Sequence, residues 1–311
     1  MDAPTAASSN NCPDPRARAA RAGRPAGPPC ERLQLPPRDL CGALVALVER
    51  DTRGVALGDT QRLTHFPASA LVSISWFDSP EVGTIESGRD GPCWRPFGAR
   101  LVVSGTQARP VTTWSPRGGR GCIACFTADA ARALFGFDLA AMRDRFVPID
   151  PAAPTKWRPL WNELLAEDGA DPTAILQRHL APHWRDLQAP SPASDSLRNI
   201  GRHWVERLGW RAQQWRKLHG SRQVERRMKA FTGRSLRQWQ ALVRTEGLFF
   251  AARDVHDAGQ VLDWAALAQA EGFCDQAHMI RVARRITGFS PTEFASRIVQ
   301  DESFWLYRLW V

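Results

Sequence analysis

One pattern of residues occurs twice between Gly220 and Ile298, and this duplication constrains the chain more than any other of its features. The first copy runs from Ser221 to Trp239 and the second from Gln276 to Phe294, an offset of 55 positions. At that offset Arg226 aligns with Arg281, Thr232 with Thr287, Gly233 with Gly288, Ser235 with Ser290 and Trp239 with Phe294. A repeat of this length is one supersecondary unit used twice. Each copy reads as helix, turn, helix. Val224, Met228 and Phe231 recur at i, i+4, i+7, as do Met279, Ala283 and Ile286, so each first helix carries an apolar stripe. Gly233 and Gly288 stand where those helices must stop, since glycine takes the left-handed conformation without a Cβ clash. Ser290, Pro291 and Glu293 then form a capping box with proline at the first helical position, and Ser235 with Gln238 repeats the box.

Before the second copy, Asp263 is an N-cap and Gly272 a C-cap for a short alanine-rich helix, whose small side chains permit the close packing of a helix-turn-helix. The stretch Ala-Leu-Ala-Gln-Ala-Glu-Gly-Phe-Cys-Asp-Gln-Ala-His-Met-Ile-Arg (266–281), followed by Thr-Gly-Phe-Ser-Pro-Thr-Glu-Phe (287–294), closely resembles the signature of the AraC/XylS family of bacterial transcription regulators. The resemblance covers the last third of the chain. It implies a double-stranded promoter DNA partner, recruitment of RNA polymerase and a cytoplasmic protein that is not an enzyme. It also implies site residues. Arg222, Glu225 and Arg226 of the first unit, and Gln276, Ala277, Ile280 and Arg281 of the second, occupy the places that meet base edges in the major groove. Arginine forks onto guanine, glutamine pairs with adenine, and Ala277 and Ile280 offer apolar contact to a thymine methyl. Lys229, Arg284 and Arg285 lie a turn further on, placed for phosphates. The first unit departs from the family pattern in the helix before its recognition helix, where Gln213 to Leu218 replaces the usual text.

Charge is distributed accordingly. The net charge is +9, and from Leu197 onward 19 Lys/Arg stand against 11 Asp/Glu, so about +8 of the excess lies in the last third. A basic domain joined to a near-neutral one suits a polyanion partner for the former. No stretch reaches the ~20 apolar residues of a membrane span, and no apolar h-region follows the early arginines. The seven cysteines are scattered, without the density of a disulfide scaffold.

Length suggests two domains. Residues 1–31, rich in Ala, Pro and Arg, predict a disordered tail. A mixed α/β domain for effector sensing or dimerisation follows over 32–188, then a Pro/Ser linker over 189–196 and an all-helical domain with two helix-turn-helix units over 197–311, giving a two-domain α+β protein. Within the first domain, Pro36 to Leu40 opens a helix with Leu40, Leu44, Leu47 and Val48 on one face. Strands follow at 71–76, where Val72, Ile74 and Trp76 face one way, and at 101–104, 111–114 and 122–126. Thr127 caps a helix through Leu134 that Gly136 ends. The text from Val102 to Gly136 resembles an amino-terminal domain carried by one branch of the same regulators; it implies architecture, a small-molecule effector or a homodimer contact, and no particular ligand. In the second domain helices are expected over 197–207, within 210–219 and over 236–253. The aromatic stretch 304–311 packs on the folded domain or at a dimer contact.

Other constellations have plainer readings. Cys122 and Cys125 share a strand, where a spacing of three turns the sulfurs to opposite faces. His179 and His183 have helical metal spacing but Pro182 between them, and no acidic third ligand is expected close by. Gly118 to Gly121 reads as a hairpin turn. Neither a catalytic motif nor a cofactor or metal motif is present. Two other function classes remain. A DNA-targeted alkylation-repair-type enzyme requires clustered zinc cysteines and an active Pro-Cys-His-Arg, both missing here, and a non-specific architectural binder sits poorly with the differing residues on the two recognition faces.

Overall fold

Alternation of large apolar with small polar residues along Val72–Phe77 sets the architecture of the first half. Val72, Ile74 and Trp76 are buried in a helix-covered core, whereas Ser73, Ser75 and Phe77 point into a cavity on the opposite face. The computed structural model describes residues 12–22, 30–88, 91–166, 171–187, 197–232 and 234–310. The strands are β1 (Cys30–Gln34), β2 (Leu44–Asp51), β3 (Leu63–Phe66), β4 (Val72–Phe77), β5 (Gly83–Gly88), β6 (Gly91–Pro96), β7 (Leu101–Ser104), β8 (Val111–Trp114), β9 (Arg120–Phe126) and β10 (Phe146–Pro148). They form two antiparallel sheets, β1-β2-β9-β4-β7-β10 and β3-β8-β5-β6. One face of the larger sheet packs under α1 (Ala128–Phe135), α2 (Ile149–Ala152), α3 (Arg158–Leu165) and α4 (Pro172–Leu187), through Phe126, Phe135, Trp157, Leu160 and Leu180. The other face and the smaller sheet line one cavity of about 230 Å3.

The strands at 71–76, 101–104, 111–114 and 122–126 are found as expected, as is the Thr127 cap, whose hydroxyl accepts from Ala130 N, and Gly136 at φ 70°. Residues 44–51 are not helical. Leu44 to Val48 is a continuous apolar run, equally readable as one helix face or as a strand covered on both sides. Pairing with β1 and β9 resolves it as β2, and a bulge between Leu44 and Ala46 lets Leu44 and Leu47 share the core face. The turn at 118–121 is not a hairpin, because β8 and β9 belong to different sheets; Thr52 N and its hydroxyl donate to Gly119 O to anchor the crossing. The two sulfurs of β9 do diverge, Cys122 into the helix-covered core and Cys125 towards the cavity. Contrary to expectation an acidic group does stand close to the histidine pair, brought there by the packing of α3 on α4: His179 Nε2 lies 2.7 Å from a Glu163 carboxylate oxygen, while the His183 ring packs against Trp157.

The second half is helical: α5 (Leu197–Arg216), α6 (Ser221–Thr232), α7 (Leu236–Asp257), α8 (Trp264–Ala270), α9 (Gln276–Thr287), α10 (Pro291–Gln300) and α11 (Trp305–Trp310). Two expected helices, 197–207 and 210–219, are one. A mid-helix glycine costs about 1 kcal/mol relative to alanine, and Val205, Leu208 and Ala212, buried on either side of Gly209, outweigh it. The proposed linker at 189–196 lies outside the described residues.

Residues 12–22, expected to be without structure, are held by the far end of the sequence. Ala19 N donates to the Asp301 carboxylate, Glu302 N donates to Ala19 O at 2.8 Å, and the Arg297 guanidinium donates to Ala17 O and Arg16 O. Beside this clasp lies a buried ion cluster. Arg50 of β2 meets Glu302 at 2.6 Å and Glu31 of β1 at 3.2 Å, and Arg21 and Arg308 also approach Glu302, at 3.4 and 3.6 Å. The aromatic stretch after it packs inward. Phe304 joins Phe249, Phe294 and Tyr307, and Trp305 Nε1 donates to the Thr64 hydroxyl of β3.

Candidate nucleic-acid interface

The duplicated text folds into duplicated structure. Helices α6 and α9 are each 12 residues long and occupy windows related by the 55-position offset, and α7 and α10 start at related positions too. Both first helices end in the same threonine lock. The Thr232 hydroxyl lies 2.8 Å from Met228 O and 3.0 Å from Arg234 O; that of Thr287 lies 2.9 Å from Ala283 O and 3.1 Å from Phe289 O. In each the hydroxyl reaches back to the carbonyl four residues before it and stands beside a carbonyl just past the helix, pinning the helix end to the turn that follows. Gly288 follows at φ 88°. The Ser235 box is reciprocal, with Gln238 N donating to Ser235 Oγ and Ser235 N donating to Gln238 Oε1; in the second unit Glu293 N donates to Ser290 Oγ. Asp275 adds an N-cap to α9 by accepting from His278 N at 2.6 Å.

Helix α6 packs on α5, and α9 on α7, α8 and α10. Val224, Met228 and Thr232 face inward in one, Met279, Ala283 and Ile286 in the other. The opposite faces carry the expected site residues. Arg222, Glu225, Arg226 and Lys229 are exposed on α6, and Gln276, Ala277, Arg281, Arg284 and Arg285 on α9. Ile280 is half-buried and packs against the core, so it presents only part of its side chain. Glu225 is engaged within its own helix, 2.9 Å from Lys229 Nζ. Arg227, not singled out in the sequence, is also exposed on α6; the clue was its place one residue after Arg226, off the Val224/Met228 stripe.

The first half of the protein holds both units at matching points. Ala68 N donates to Ile286 O in the last turn of α9, at 2.8 Å. Just past α6, the buried Arg234 guanidinium donates to Gln107 O and lies 5.0 Å over the Trp239 ring. Ala108, Arg143 and Asp144 stand across a crevice from Glu225 and Lys229, so the C-terminal turn of α6 is bordered by the sheet domain while Arg222 lies a turn away from it.

The cavity is the second site, and it went unread in the sequence. Helix α7 buries Trp239, Ala241, Leu242, Leu248, Phe249, Phe250 and Ala252, which leaves it apolar around most of its circumference. A helix of that kind is buried, so Glu246 in its middle was a legible signal of a carboxyl set among apolar neighbours; it is half-buried and lines the cavity. Burial pushes the Glu246 carboxyl up to about 7.

No protein-family model matches the chain, and no curated protein matches it. Among solved structures it is similar to ToxT from Vibrio cholerae in its P21 form, at 10% identity over 75% of this chain and 96% of that chain, with a TM-score of 0.36. It is also similar to ToxT from V. cholerae O395 bound to (E)-4-(8-methylnaphthalen-1-yl)but-3-enoic acid, at 9% identity over 76% of this chain and 98% of that chain, TM-score 0.36. The same holds for unsaturated fatty acid bound ToxT from strain SCE256, at 10% identity over 75% and 93%, TM-score 0.34.

Proposed function

We propose that this chain is a sequence-specific DNA-binding transcription regulator of the AraC/XylS type, whose two helix-turn-helix units place α6 and α9 in successive major grooves of promoter DNA. The observation that carries this reading is the congruence of the two helices. Core positions, threonine locks and capped following helices are duplicated, while the exposed faces are not. One scaffold presenting two different faces suits one monomer reading an asymmetric site. The connecting helix supports the spacing: the 22 residues of α7 span about 33 Å at 1.5 Å per residue, against ~34 Å for one turn of DNA.

In this reading residues 197–311 are the DNA-binding domain, 189–196 the linker, and 32–188 the effector-sensing or dimerisation domain. The protein acts in the cytoplasm, contacts RNA polymerase at the promoter, and is not an enzyme. Arg222 and Arg226 read the half-site richer in guanine. Gln276, Ala277 and the exposed part of Ile280 read the half richer in A·T, with Arg281 anchoring it. Lys229, Arg284 and Arg285 hold phosphates, and Glu225 positions Lys229. Nothing observed favours a repair-type enzyme or a non-specific architectural binder.

Footprints of Arg226→Ala and Arg281→Ala test the reading. Each is expected to cost about 1–3 kcal/mol, through one cluster of base pairs, the two clusters lying about one helical turn apart. Loss of protection over the same base pairs in both variants, or unchanged base preference in both, refutes the two-groove arrangement.

A further inference from the structure

The cavity between the sheets is lined mainly by apolar side chains, among them Leu57, Phe66, Ile123, Phe249 and Trp305. Its charged groups are unequally provided for. Four arginines border it, and each has a carboxylate. Arg50 has Glu302 and Glu31, Arg62 has Asp59, Arg117 has Glu81 at 3.3 Å, and Arg120 has Glu49 at 2.6 Å. Asp78 at the rim accepts from Arg120 N at 2.7 Å. Glu246 alone of these lining charges has neither a cation nor a hydrogen-bond donor among the described residues, and burial is the one influence acting on its ionisation. Tyr307 lines the same cavity, and its hydroxyl is buried and without a hydrogen-bond partner among the described residues.

Glu246 is half-buried and lines this largely apolar cavity, and an unpaired carboxylate in such surroundings is costly unless a positive donor reaches it. An anionic ligand would add a second unpaired negative charge beside it while finding every arginine already occupied. A neutral apolar ligand would leave it unmet. We propose that the cavity binds a small lipophilic amine, its alkyl or aryl body among the apolar lining residues and its ammonium group donating to the Glu246 carboxylate. Ionised Glu246 and a protonated amine form a charge-assisted pair inside an apolar enclosure, where such a pair is strongest. Glu246 belongs to α7, which joins the two helix-turn-helix units, and the rest of the lining comes largely from the two sheets, so an occupant touches both halves of the protein. The inference rests on reading residues 32–188 as effector-binding and does not depend on which DNA the helices read.

Octylamine, octan-1-ol and octanoate share one chain and differ in head group. Titrated calorimetrically into the full chain at pH 8, octylamine is expected to bind roughly tenfold more tightly than either of the others, the worth of one hydrogen bond to a charged group. Glu246→Gln, nearly the same in shape, is expected to remove that preference while leaving octanol affinity within about twofold, which also reports that the cavity is intact. Octanoate or octanol binding more tightly than octylamine, or an unchanged octylamine affinity in the variant, overturns the amine assignment and leaves the effector reading standing. No binding of any of the three overturns both.

Discussion

Replacing Glu302 by glutamine gives the sharpest test of how the two ends of the described chain are held. Glu302 is 2% exposed and meets Arg50, itself 7% exposed, at 2.6 Å. It also accepts from Ala22 N at 3.2 Å and lies near Arg21 and Arg308. Glutamine keeps the shape and one acceptor but removes the charge. Removing one partner of a buried ion pair costs about 3–5 kcal/mol, because the other charge stays desolvated. Arg50 retains Glu31 at 3.2 Å, so the low end applies, about 3 kcal/mol. With a urea dependence of about 3 kcal/mol/M for a chain of this size, the unfolding midpoint moves down by about 1 M. Glu86→Gln is the control. It breaks the Arg95–Glu86 pair, whose side chains are 65% and 59% exposed, and exposed pairs contribute little, so its midpoint stays in place. Replacing both partners, Arg50→Met with Glu302→Leu, recovers part of the loss, because the charges then left behind, Glu31 and Arg308, stand 3.9 Å apart and offset each other. Equal midpoints for Glu302→Gln and Glu86→Gln refute the reasoning.

Two further outcomes follow from buried groups. The Glu246 carboxyl titrates at about 7 when folded against 4.5 in its ordinary state, so the folded protein keeps a proton that the unfolded chain gives up. Stability therefore falls as pH rises from about 4.5 to 7 and is flat beyond, by a total of about 3 kcal/mol; Glu246→Gln removes this slope, and a wild-type-to-variant difference that stays constant across that range contradicts it. Burial pushes the Cys122 and Cys125 thiols up to about 12, whereas Cys30 and Cys274 are exposed. A thiol-disulfide reagent at pH 8 should consume Cys30 and Cys274 first, and Cys122→Ser with Cys125→Ser should leave the number of fast-reacting thiols unchanged; loss of a fast thiol in that variant shows the strand to be open.

The helical half was readable because its signals are local. A stripe at i, i+4, i+7, a glycine stop and a serine start lie within one or two turns of the bonds they make, and writing them twice allowed each copy to check the other. The long α5 was misdivided at Gly209 for the converse reason: propensity is local, but the packing of Val205, Leu208 and Ala212 that overrides it is not. In the sheet half the strands with regular alternation stood out. Strand β2 did not, since an apolar run gains its identity from β9, more than seventy positions on. Strands β5 and β6, with Gly83, Gly88 and Gly91 and a single strongly apolar pair, Ile85 with Trp94, have little pattern to read and are defined by each other. Composition marked residues 12–22 as unable to build a core, which is true of them alone; their order comes from the backbone and side chains of residues 297–302. Of the proposed interface, the nine exposed side chains and the half-buried Ile280 came from the family resemblance laid over the 55-residue repeat, and periodicity accounts for their facing away from the apolar stripes. The cavity did not, because it exists only once two sheets and α7 are brought together.

The clasp between residues 16–22 and 297–302 sets a timetable. Ala19 and its partner Asp301 are 282 positions apart in the chain. At a synthesis rate of about 5–20 residues per second, roughly 14–56 s separate the appearance of the two on a ribosome. From its own synthesis until residue 302 appears, Arg50 has Glu31 but not Glu302, and the edge of the larger sheet lacks the cover that α11 and the clasp supply. The sheet domain is thus made first and sealed last. A nascent chain stalled before residue 301 would expose β1 and its charges to proteases and to other nascent copies, and quality control in the cell would act on that open form rather than on the finished protein.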